Sequence, residues 1–285
     1  MTTLSIRCEI KTATGKMLSF ARPLVMGILN VTPDSFSDGG RFLVTERAVA
    51  HALKMAAEGA DIIDIGGESS RPGADPVSAE EEIERVLPVI ERLRRESQVP
   101  ISIDTYKAAT AEAALKAGVD IVNDISALRI DSAMLALLAR SKAPVALMHM
   151  KGTPRDMQKK PEYDDCIQEI ADFFDERIQF CTTGGIEGSQ IILDPGIGFG
   201  KRLEDNLRIL RELRSFTRFG LPLLVGASRK SFIGMVTGDT GPAESRLGGS
   251  IAAAVTAVLN GATIVRVHDV KETVEALRIV QATRQ

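Results

Sequence analysis

Residues 99–126 read VPISIDTYKAATAEAALKAGVDIVNDIS, and this stretch decides the fold. Two short apolar runs rich in Val and Ile flank one amphipathic stretch, and each run ends in polar residues. Strands that are buried on both faces of a parallel sheet have this nearly continuous apolar character. The stretch therefore predicts a strand, a helix and a second strand parallel to the first.

The same pattern recurs along the whole chain. Most neighbouring apolar runs are separated by one amphipathic stretch, and nearly every run ends in a residue able to do chemistry. The eight final residues are Asn30, Arg71, Asp104, Asn123, His149, Asp194, Lys230 and His268. Eight βα units predict an α/β fold, a (β/α)8 TIM barrel, whose active sites lie at the C-terminal ends of the strands. We therefore expect an enzyme.

The length of the chain and its first residues fit one such barrel. Residues 4–20 alternate weakly in polarity about a turn at 14–16, which predicts an N-terminal β-hairpin. We expect residues 1–22 to cover the N-terminal end of the barrel. No linker rich in Pro, Gly or Ser interrupts the 285 residues, and about 250 are typical of one barrel. We therefore expect a single domain over 1–285.

Composition argues against several classes of partner. The net charge is −3 with acidic and basic residues interspersed, which is not typical of a nucleic-acid surface. Cys8, Cys166 and Cys181 have no metal-binding spacing and indicate free thiols in a reducing compartment. The first residues, MTTLSIRCEIK, have no apolar h-region, so we expect no signal peptide, and no apolar run approaches the roughly 20 residues that span a bilayer. We expect a cytoplasmic protein without nucleic-acid or membrane partners.

Two long loops rich in glycine, NVTPDSFSDGGRF and GGESSRPGADPVS, follow the first two strands. Loops of this length in a compact domain usually bind ligands or close over them. The alternative is a solvated connection without a role. Phe36, Asp38 and Arg71 within these loops favour binding.

Three strand ends carry side chains suited to a planar polar group. The carboxylates of Asp104 and Asp194 can accept paired hydrogen bonds from a donor–donor edge, such as that of an amino-pyrimidine. Asn123 can both donate and accept. We expect these residues to bind a heterocycle with a guanidine-like face. The alternative is that each caps a helix, which is about equally good for one Asp but poorer for three ends at one rim.

Basic side chains are expected at the same rim. Arg71, Lys230, Arg266 and His268 belong to the second, seventh and eighth units, and guanidinium groups commonly hold phosphate oxygens. Arg266 lies inside the apolar run TIVRVHD, where a charge needs a partner or an anionic ligand. Arg229 is expected to pair elsewhere, because adjacent residues point in different directions.

Two further predictions concern the first and sixth strands. Asn30 could coordinate Mg²⁺, which takes few protein ligands and completes its shell from phosphate and water; turn initiation is an equally good alternative. The stretch DPGIGFGK at 194–201 matches neither common nucleotide-loop motif. It predicts a tight turn that projects Phe199 toward the rim. His149 could be structural as easily as functional.

These motifs together resemble the dihydropteroate synthases of the folate pathway. The resemblance spans roughly residues 24–270 in the expected order. Its segments are MGILNVTPDSFSDGGRF, DIGGESSRPGA, SIDTYK, VNDIS, MHMKGTP, ILDPGIGFGK, GASRKSFIG, RLGGSIAAA and VRVHDV. Ser70 stands where many relatives have Thr, and both residues carry a hydroxyl.

The resemblance implies condensation of 6-hydroxymethyl-7,8-dihydropterin diphosphate with p-aminobenzoate, giving 7,8-dihydropteroate and pyrophosphate. It implies an SN1-like mechanism, Mg²⁺, a homodimer and competition by sulfonamides. The residues implied in catalysis are Asp38, Lys230, Arg266 and His268. Those implied in pterin binding are Asp104, Asn123, Asp194 and Lys230. Those implied in diphosphate binding are Asn30, Ser70, Arg71, Arg266 and His268, with Asn30 also the metal ligand. Those implied in p-aminobenzoate binding are Phe36, Ser70, Pro72, Phe199 and Ser231.

Three other functions share some of these features. A pterin-binding methyltransferase barrel hands a methyl group to a corrinoid, but the chain has no DxHxxG motif and keeps the basic groups that a diphosphate needs. An aldolase-type barrel would use Lys230 as a Schiff base, and the motif set does not support it. A non-catalytic pterin binder need not retain Asp38, Lys230, Arg266 and His268.

Overall fold

Eight parallel strands form the predicted barrel in the computed structural model, which describes residues 8–32, 41–69, 76–153, 156–157 and 159–283. The barrel strands are β3 Leu24–Asn30, β4 Ile62–Gly66, β5 Ile101–Asp104, β6 Ile121–Asp124, β7 Val145–Met148, β8 Ile191–Asp194, β9 Leu224–Val225 and β10 Ile264–Val267. They pair in the order β8-β7-β6-β5-β4-β3-β10-β9. A single bridge between Leu193 and Leu223 joins the two ends of this order.

Helices alternate with these strands and cover the outside of the barrel. They are α1 Arg41–Ala57, α2 Ala79–Glu96, α3 Ala108–Lys116, α4 Ala133–Ser141, α5 Cys166–Thr183, α6 Leu203–Glu212, α7 Ser231–Thr237, α8 Leu247–Leu259 and α9 Val270–Ala282. Two helices, α7 and α8, lie between β9 and β10. Because β9 is only two residues long, Lys230 does not end a strand but lies in the following loop, directly before α7.

The N-terminal hairpin is present and covers one end of the barrel. Strands β1 Glu9–Lys11 and β2 Met17–Ser19 pair antiparallel. The turn between them includes Gly15 at a φ of +90°, where glycine avoids the cost of a left-handed conformation. Ile10 and Leu18 are buried against the apolar residues that begin the barrel strands.

A buried carboxylate fastens the hairpin to the barrel. Asp120, fully buried, accepts hydrogen bonds from the Thr12 hydroxyl at 2.9 Å and the Ile101 backbone N–H at 2.9 Å. Thr14 and Arg94 also donate to it. A buried charge surrounded by donors in this way avoids most of its desolvation penalty.

Two further predictions concern the cysteines and membrane-spanning segments. Within the part of the chain that the structure describes, Cys8, Cys166 and Cys181 form no disulfide with one another, as expected. Among the residues that the structure describes, no helix combines the length and apolar character that crossing a bilayer requires.

Candidate active site

Alternate strands of the barrel place an apolar layer and a polar layer in its interior. Each of β4, β6, β8 and β10 contributes an isoleucine and, two positions later, a polar residue on the same face. The pairs are Ile62 and Asp64, Ile121 and Asn123, Ile192 and Asp194, and Ile264 and Arg266. Residues from alternate strands share one layer of a (β/α)8 barrel, so the four polar residues converge at the C-terminal end.

Arg266 joins Asp64 of this polar layer to Asp104, which ends the neighbouring strand β5. Its Nε donates to Asp64 Oδ2 at 2.6 Å, and its Nη2 donates to Asp104 Oδ2 at 2.7 Å. The expected need for a partner is therefore met within the protein. A guanidinium has five N–H donors, so these two bonds do not use its whole capacity.

Asp64 is the site residue that the sequence analysis missed. Asp64 is fully buried in the middle of β4. Its Oδ2 accepts hydrogen bonds from Arg266 and Asn123. Its Oδ1 has no hydrogen-bond partner among the described residues. The signal was present, because an acid inside the apolar run IIDIG needs a buried partner just as Arg266 does.

The orientation of Asn123 follows from its contact with Asp64. The Asn123 amide nitrogen lies 3.0 Å from Asp64 Oδ2. A carboxylate only accepts hydrogen bonds, so the NH₂ group must face Asp64 and the amide oxygen faces elsewhere. The Asn123 side chain is thus held by the protein before a ligand binds.

The side chains of Asp194 and Lys230 both contact the turn that follows β8. Asp194 Oδ1 accepts from the Gly196 backbone N–H at 2.7 Å. The Lys230 ammonium donates to the carbonyl of Ile197 and lies 4.5 Å from the centre of the Phe199 ring. Lys230 and Phe199, expected in two different subsites, are therefore in direct contact.

The charged groups of the site have shifted pKa values. Burial raises the pKa of Asp104 to about 7, although Arg266 opposes the shift. Burial likewise raises the pKa of Asp194. Burial lowers the pKa of Lys230 to about 8, against the stabilising charge of Asp194. Such shifts concentrate at functional sites, because catalysis and binding keep charges away from water.

The DPGIGFGK stretch forms the tight turn that was predicted. Gly196 and Gly200 have φ values of +68° and +63°. A Cβ atom at Gly196 would lie 2.0 Å from the His149 carbonyl oxygen. A Cβ atom at Gly200 would lie 2.1 Å from the Lys151 carbonyl oxygen. Only glycine permits both the conformation and the close approach.

The remaining described candidates lie at the same end of the barrel. Asn30 ends β3 and is paired with Gly66. His268 follows β10, and its Nδ1 lies 3.0 Å from the Ser228 hydroxyl. Arg229 pairs with Asp269, which confirms that it is engaged elsewhere. Ser231 is the first residue of α7, while Phe36, Asp38, Ser70, Arg71 and Pro72 lie outside the described residues.

The start of the second loop is held by a charged network that the sequence analysis also missed. Lys107 donates to Glu68 and, at 3.1 Å, to the buried Glu82. The Tyr106 hydroxyl donates to Glu68 at 2.8 Å. These contacts fix the backbone just before the segment that contains Ser70 and Arg71.

Comparison with known proteins gives the same family at the level of sequence and structure. Residues 26–268 match the sequence model of a family described as pterin binding enzyme. The dihydropteroate synthase of Escherichia coli (strain K12) is 52% identical over 271 residues, which cover 95% of each chain.

Two solved structures are similar over almost their whole length. Xanthomonas albilineans dihydropteroate synthase with 4-aminobenzoic acid has a TM-score of 0.91 and 47% identity, covering 97% of this chain and 98% of that one. The Yersinia pestis dihydropteroate synthase with a sulfonamide drug complex has a TM-score of 0.91 and 48% identity, covering 97% and 99%.

Proposed function

Because the chain belongs to the pterin-binding enzyme family, and within it to the dihydropteroate synthases, we propose that it makes 7,8-dihydropteroate. The substrates are 6-hydroxymethyl-7,8-dihydropterin diphosphate and p-aminobenzoate, and pyrophosphate is released. The observation that carries the proposal is the convergence of carboxylates, an amide and buried cations at the C-terminal end of the barrel.

The pterin is expected to lie against the polar layer. Asp104 and Asp194 offer carboxylate oxygens to the donor edge of the ring, and the oriented Asn123 offers its amide oxygen. Lys230 is a donor for the acceptor atoms of the ring. Asp64 contributes by holding Asn123 and Arg266 in place.

The chemical step separates charge and then joins two substrates. The C–O bond between the pterin methylene and the diphosphate breaks with both electrons going to oxygen. The amine lone pair of p-aminobenzoate then forms the C–N bond, and the nitrogen loses one proton. Arg71, Arg266 and His268 stabilise the departing diphosphate, and Asp38 stabilises the cation.

The p-aminobenzoate pocket is proposed to combine both long loops with the turn after β8. Its residues are Phe36, Ser70, Pro72, Phe199 and Ser231. Support comes from the Xanthomonas albilineans relative, which was solved with 4-aminobenzoic acid. The Yersinia pestis relative was solved with a sulfonamide, so we expect sulfonamides to compete with p-aminobenzoate here. Closure of the loops would exclude water from the cation.

The residues fit a Mg²⁺ ion that is held largely by the substrate. Within the described part of the chain, no cluster of three or more His, Cys, Asp or Glu side chains could enclose a metal. Mg²⁺ often takes only one or two protein ligands beside phosphates and water, and Asn30 at the end of β3 would supply an amide oxygen. The bound ion would neutralise charge on the leaving pyrophosphate.

We further propose a cytoplasmic homodimer in which residues 1–285 form a single barrel domain. Interspersed charges and the family resemblance support this assembly, with small molecules rather than nucleic acids or membranes as partners. A corrinoid methyltransferase and a non-catalytic binder are not favoured, because the similarity to dihydropteroate synthases extends over 95% of the chain.

The reaction is tested by measuring pyrophosphate release from the pterin diphosphate, with and without p-aminobenzoate and with and without Mg²⁺. Release that requires the metal and yields dihydropteroate in the presence of p-aminobenzoate supports the proposal. Tight pterin binding without release under any condition would point to a methyltransferase domain or an inactive binder.

Two substitutions test the site assignment. Lys230→Ala and Asp104→Ala should reduce turnover to background with little loss of folding, because both side chains lie at the rim. Steady-state kinetics and thermal unfolding measure the two effects separately. Normal turnover in either variant would show that the pterin site is elsewhere.

A further inference from the structure

A second buried lysine lies behind the proposed pocket, and the mechanism above does not use it. Lys201 is 3% exposed at the end of the turn that follows β8. Its Nζ lies 2.9 Å from His149 Nδ1, 3.2 Å from the His149 carbonyl oxygen and 3.1 Å from the Phe199 carbonyl oxygen. The turn and the residue after β7 are thereby joined through one side chain.

The geometry identifies the donor and the acceptors. Carbonyl oxygens only accept, so Lys201 donates to both of them, although burial lowers the pKa of Lys201 to about 7. Burial, together with the charge of Lys201, holds the pKa of His149 well below its ordinary value. The imidazole is therefore neutral, and its Nδ1 accepts from Lys201 when Lys201 is charged. Lys201 cannot contact a substrate without losing one of these bonds.

The backbone of the turn depends on side-chain hydrogen bonds to keep one conformation. Gly196, Gly198 and Gly200 all have positive φ values, and a segment with this many glycines has little conformational restraint of its own. Lys230 holds the carbonyl of Ile197 from the side of the site. Lys201 holds the carbonyl of Phe199, two residues further along the turn.

We propose that Lys201 is a positioning residue that sets the Phe199 ring against Lys230 and so fixes the wall of the p-aminobenzoate pocket. The identity of the aromatic substrate rests on the proposed function. Lys201 acts through Phe199 and does not contact the reacting atoms. Its loss should therefore weaken use of p-aminobenzoate more than it slows the chemical step.

The first test is the variant Lys201→Met, which keeps the length of the side chain and removes the donor. We expect the KM for p-aminobenzoate to rise roughly tenfold, while kcat falls less than about threefold. The KM for the pterin diphosphate should change little. Lys142→Met is the control with the same chemical change, because the exposed Lys142 ammonium pairs with Glu187 at the end of α4, away from the turn, and its kinetics should equal those of the wild type. A fall in kcat at constant KM would overturn the proposal.

A double-mutant cycle separates positioning from general destabilisation. In a Phe199→Ala background the ring is absent, so Lys201→Met should cause no further rise in the KM for p-aminobenzoate, although it still lowers the melting temperature. Additive KM effects would overturn the proposal. If Lys201→Met does not fold, His149→Phe provides a milder change. It removes one acceptor and keeps an aromatic ring beside Phe173, and its KM should shift in the same direction by a smaller factor.

A structural measurement tests the proposal without reference to activity. Crystal structures of the wild type and Lys201→Met should differ in the distance from Lys230 Nζ to the Phe199 ring centre, which is 4.5 Å with Lys201 in place. An unchanged distance would overturn the positioning role whatever the substrate is. If the wild type makes no dihydropteroate but the distance changes, the proposed reaction is wrong and the positioning role stands.

Discussion

The two interior layers of the barrel are built on the same four strands, yet they differ in almost every physical property. The lower layer contains Ile62, Ile121, Ile192 and Ile264, packed beneath the hairpin in an apolar cluster. The upper layer contains Asp64, Asn123, Asp194 and Arg266, two residues further along each strand. The lower layer is fully packed, whereas the upper layer leaves Asp64 Oδ1 without a partner among the described residues.

The comparison shows that the same four strands can carry one layer of residues that stabilises the fold and another that forms the site. The strand period of two sends both residues of each pair into the interior, so only the side-chain chemistry distinguishes the layers. Apolar burial in the lower layer stabilises the fold. Burial instead raises the pKa of Asp194 in the upper layer and of Asp104 beside it, and lowers the pKa of the nearby Lys230, which means that the fold holds these charges at a cost.

Substitution in the lower layer should give the largest loss of stability. Ile192→Ala removes a fully buried side chain, and the cavity should lower the free energy of unfolding by about 2–5 kcal/mol. The folded fraction should keep its kcat. Urea unfolding and assays at low temperature measure the two quantities. A loss of kcat in fully folded protein would show that the layers are not separable.

The matching substitution in the upper layer should lower activity strongly and stability little. Asp194→Ala, on the same strand, should lower kcat/KM by about 10²–10³-fold. Stability should change by less than about 1 kcal/mol, because a carboxyl whose pKa is raised by burial is unfavourable to the folded state in its ionised form. Initial rates and urea unfolding of the same preparation provide the comparison. Strong destabilisation would assign Asp194 a structural role.

The ionisation of Asp104 and Lys230 should make the activity depend on pH. Asp104 must be ionised to accept from the pterin, so kcat/KM should rise as the pH increases through about 7. The charged form of Lys230 is the stronger donor, so kcat/KM should fall as the pH rises through about 8. A pH profile of kcat/KM checks both limbs. Asp104→Asn should remove the acidic limb, and survival of that limb would assign it to another group.

The smallest effect is expected below the lower layer. Thr12→Val removes one of several donors to Asp120, which should lower the free energy of unfolding by about 1–3 kcal/mol without changing kcat or KM. Glu112→Ala, which breaks exposed ion pairs with Lys116 and Arg140, is a control that should change the free energy of unfolding little, because exposed ion pairs are screened by solvent. Equal losses in the two variants would show that Asp120 is not an important anchor.

The barrel and the convergence of its strand ends could be predicted because periodicity and apolar runs are properties of the chain itself. Asp104 and Asp194 end β5 and β8 as predicted, whereas Asn123 is the last residue but one of β6, which ends at Asp124. All three lie at the C-terminal end of the barrel, because parallel strands end at the same rim. The hairpin and the engagement of Arg229 were likewise predictable from local pattern.

Contacts across the barrel were not predictable in the same way. The sequence indicates that Arg266 needs a partner, but the partner Asp64 lies 202 residues away on a strand two positions round the barrel. The repeated order of isoleucine, any residue and a polar residue would have identified Asp64 as a layer member. No local pattern indicates that Lys201 meets His149 or that Lys230 meets Phe199, because those contacts depend on the path of two loops.

The closure of the barrel is uneven, and this has a consequence for local dynamics. Strands β3 and β4 are paired over five residues, whereas β8 and β9 are joined by the single bridge between Leu193 and Leu223. Transient opening of a sheet is easiest where the fewest backbone bonds must break. In this barrel that seam separates Asp194 from the loop that carries Lys230, so we expect local opening there to weaken the electrostatic interaction between the buried acid and the buried amine.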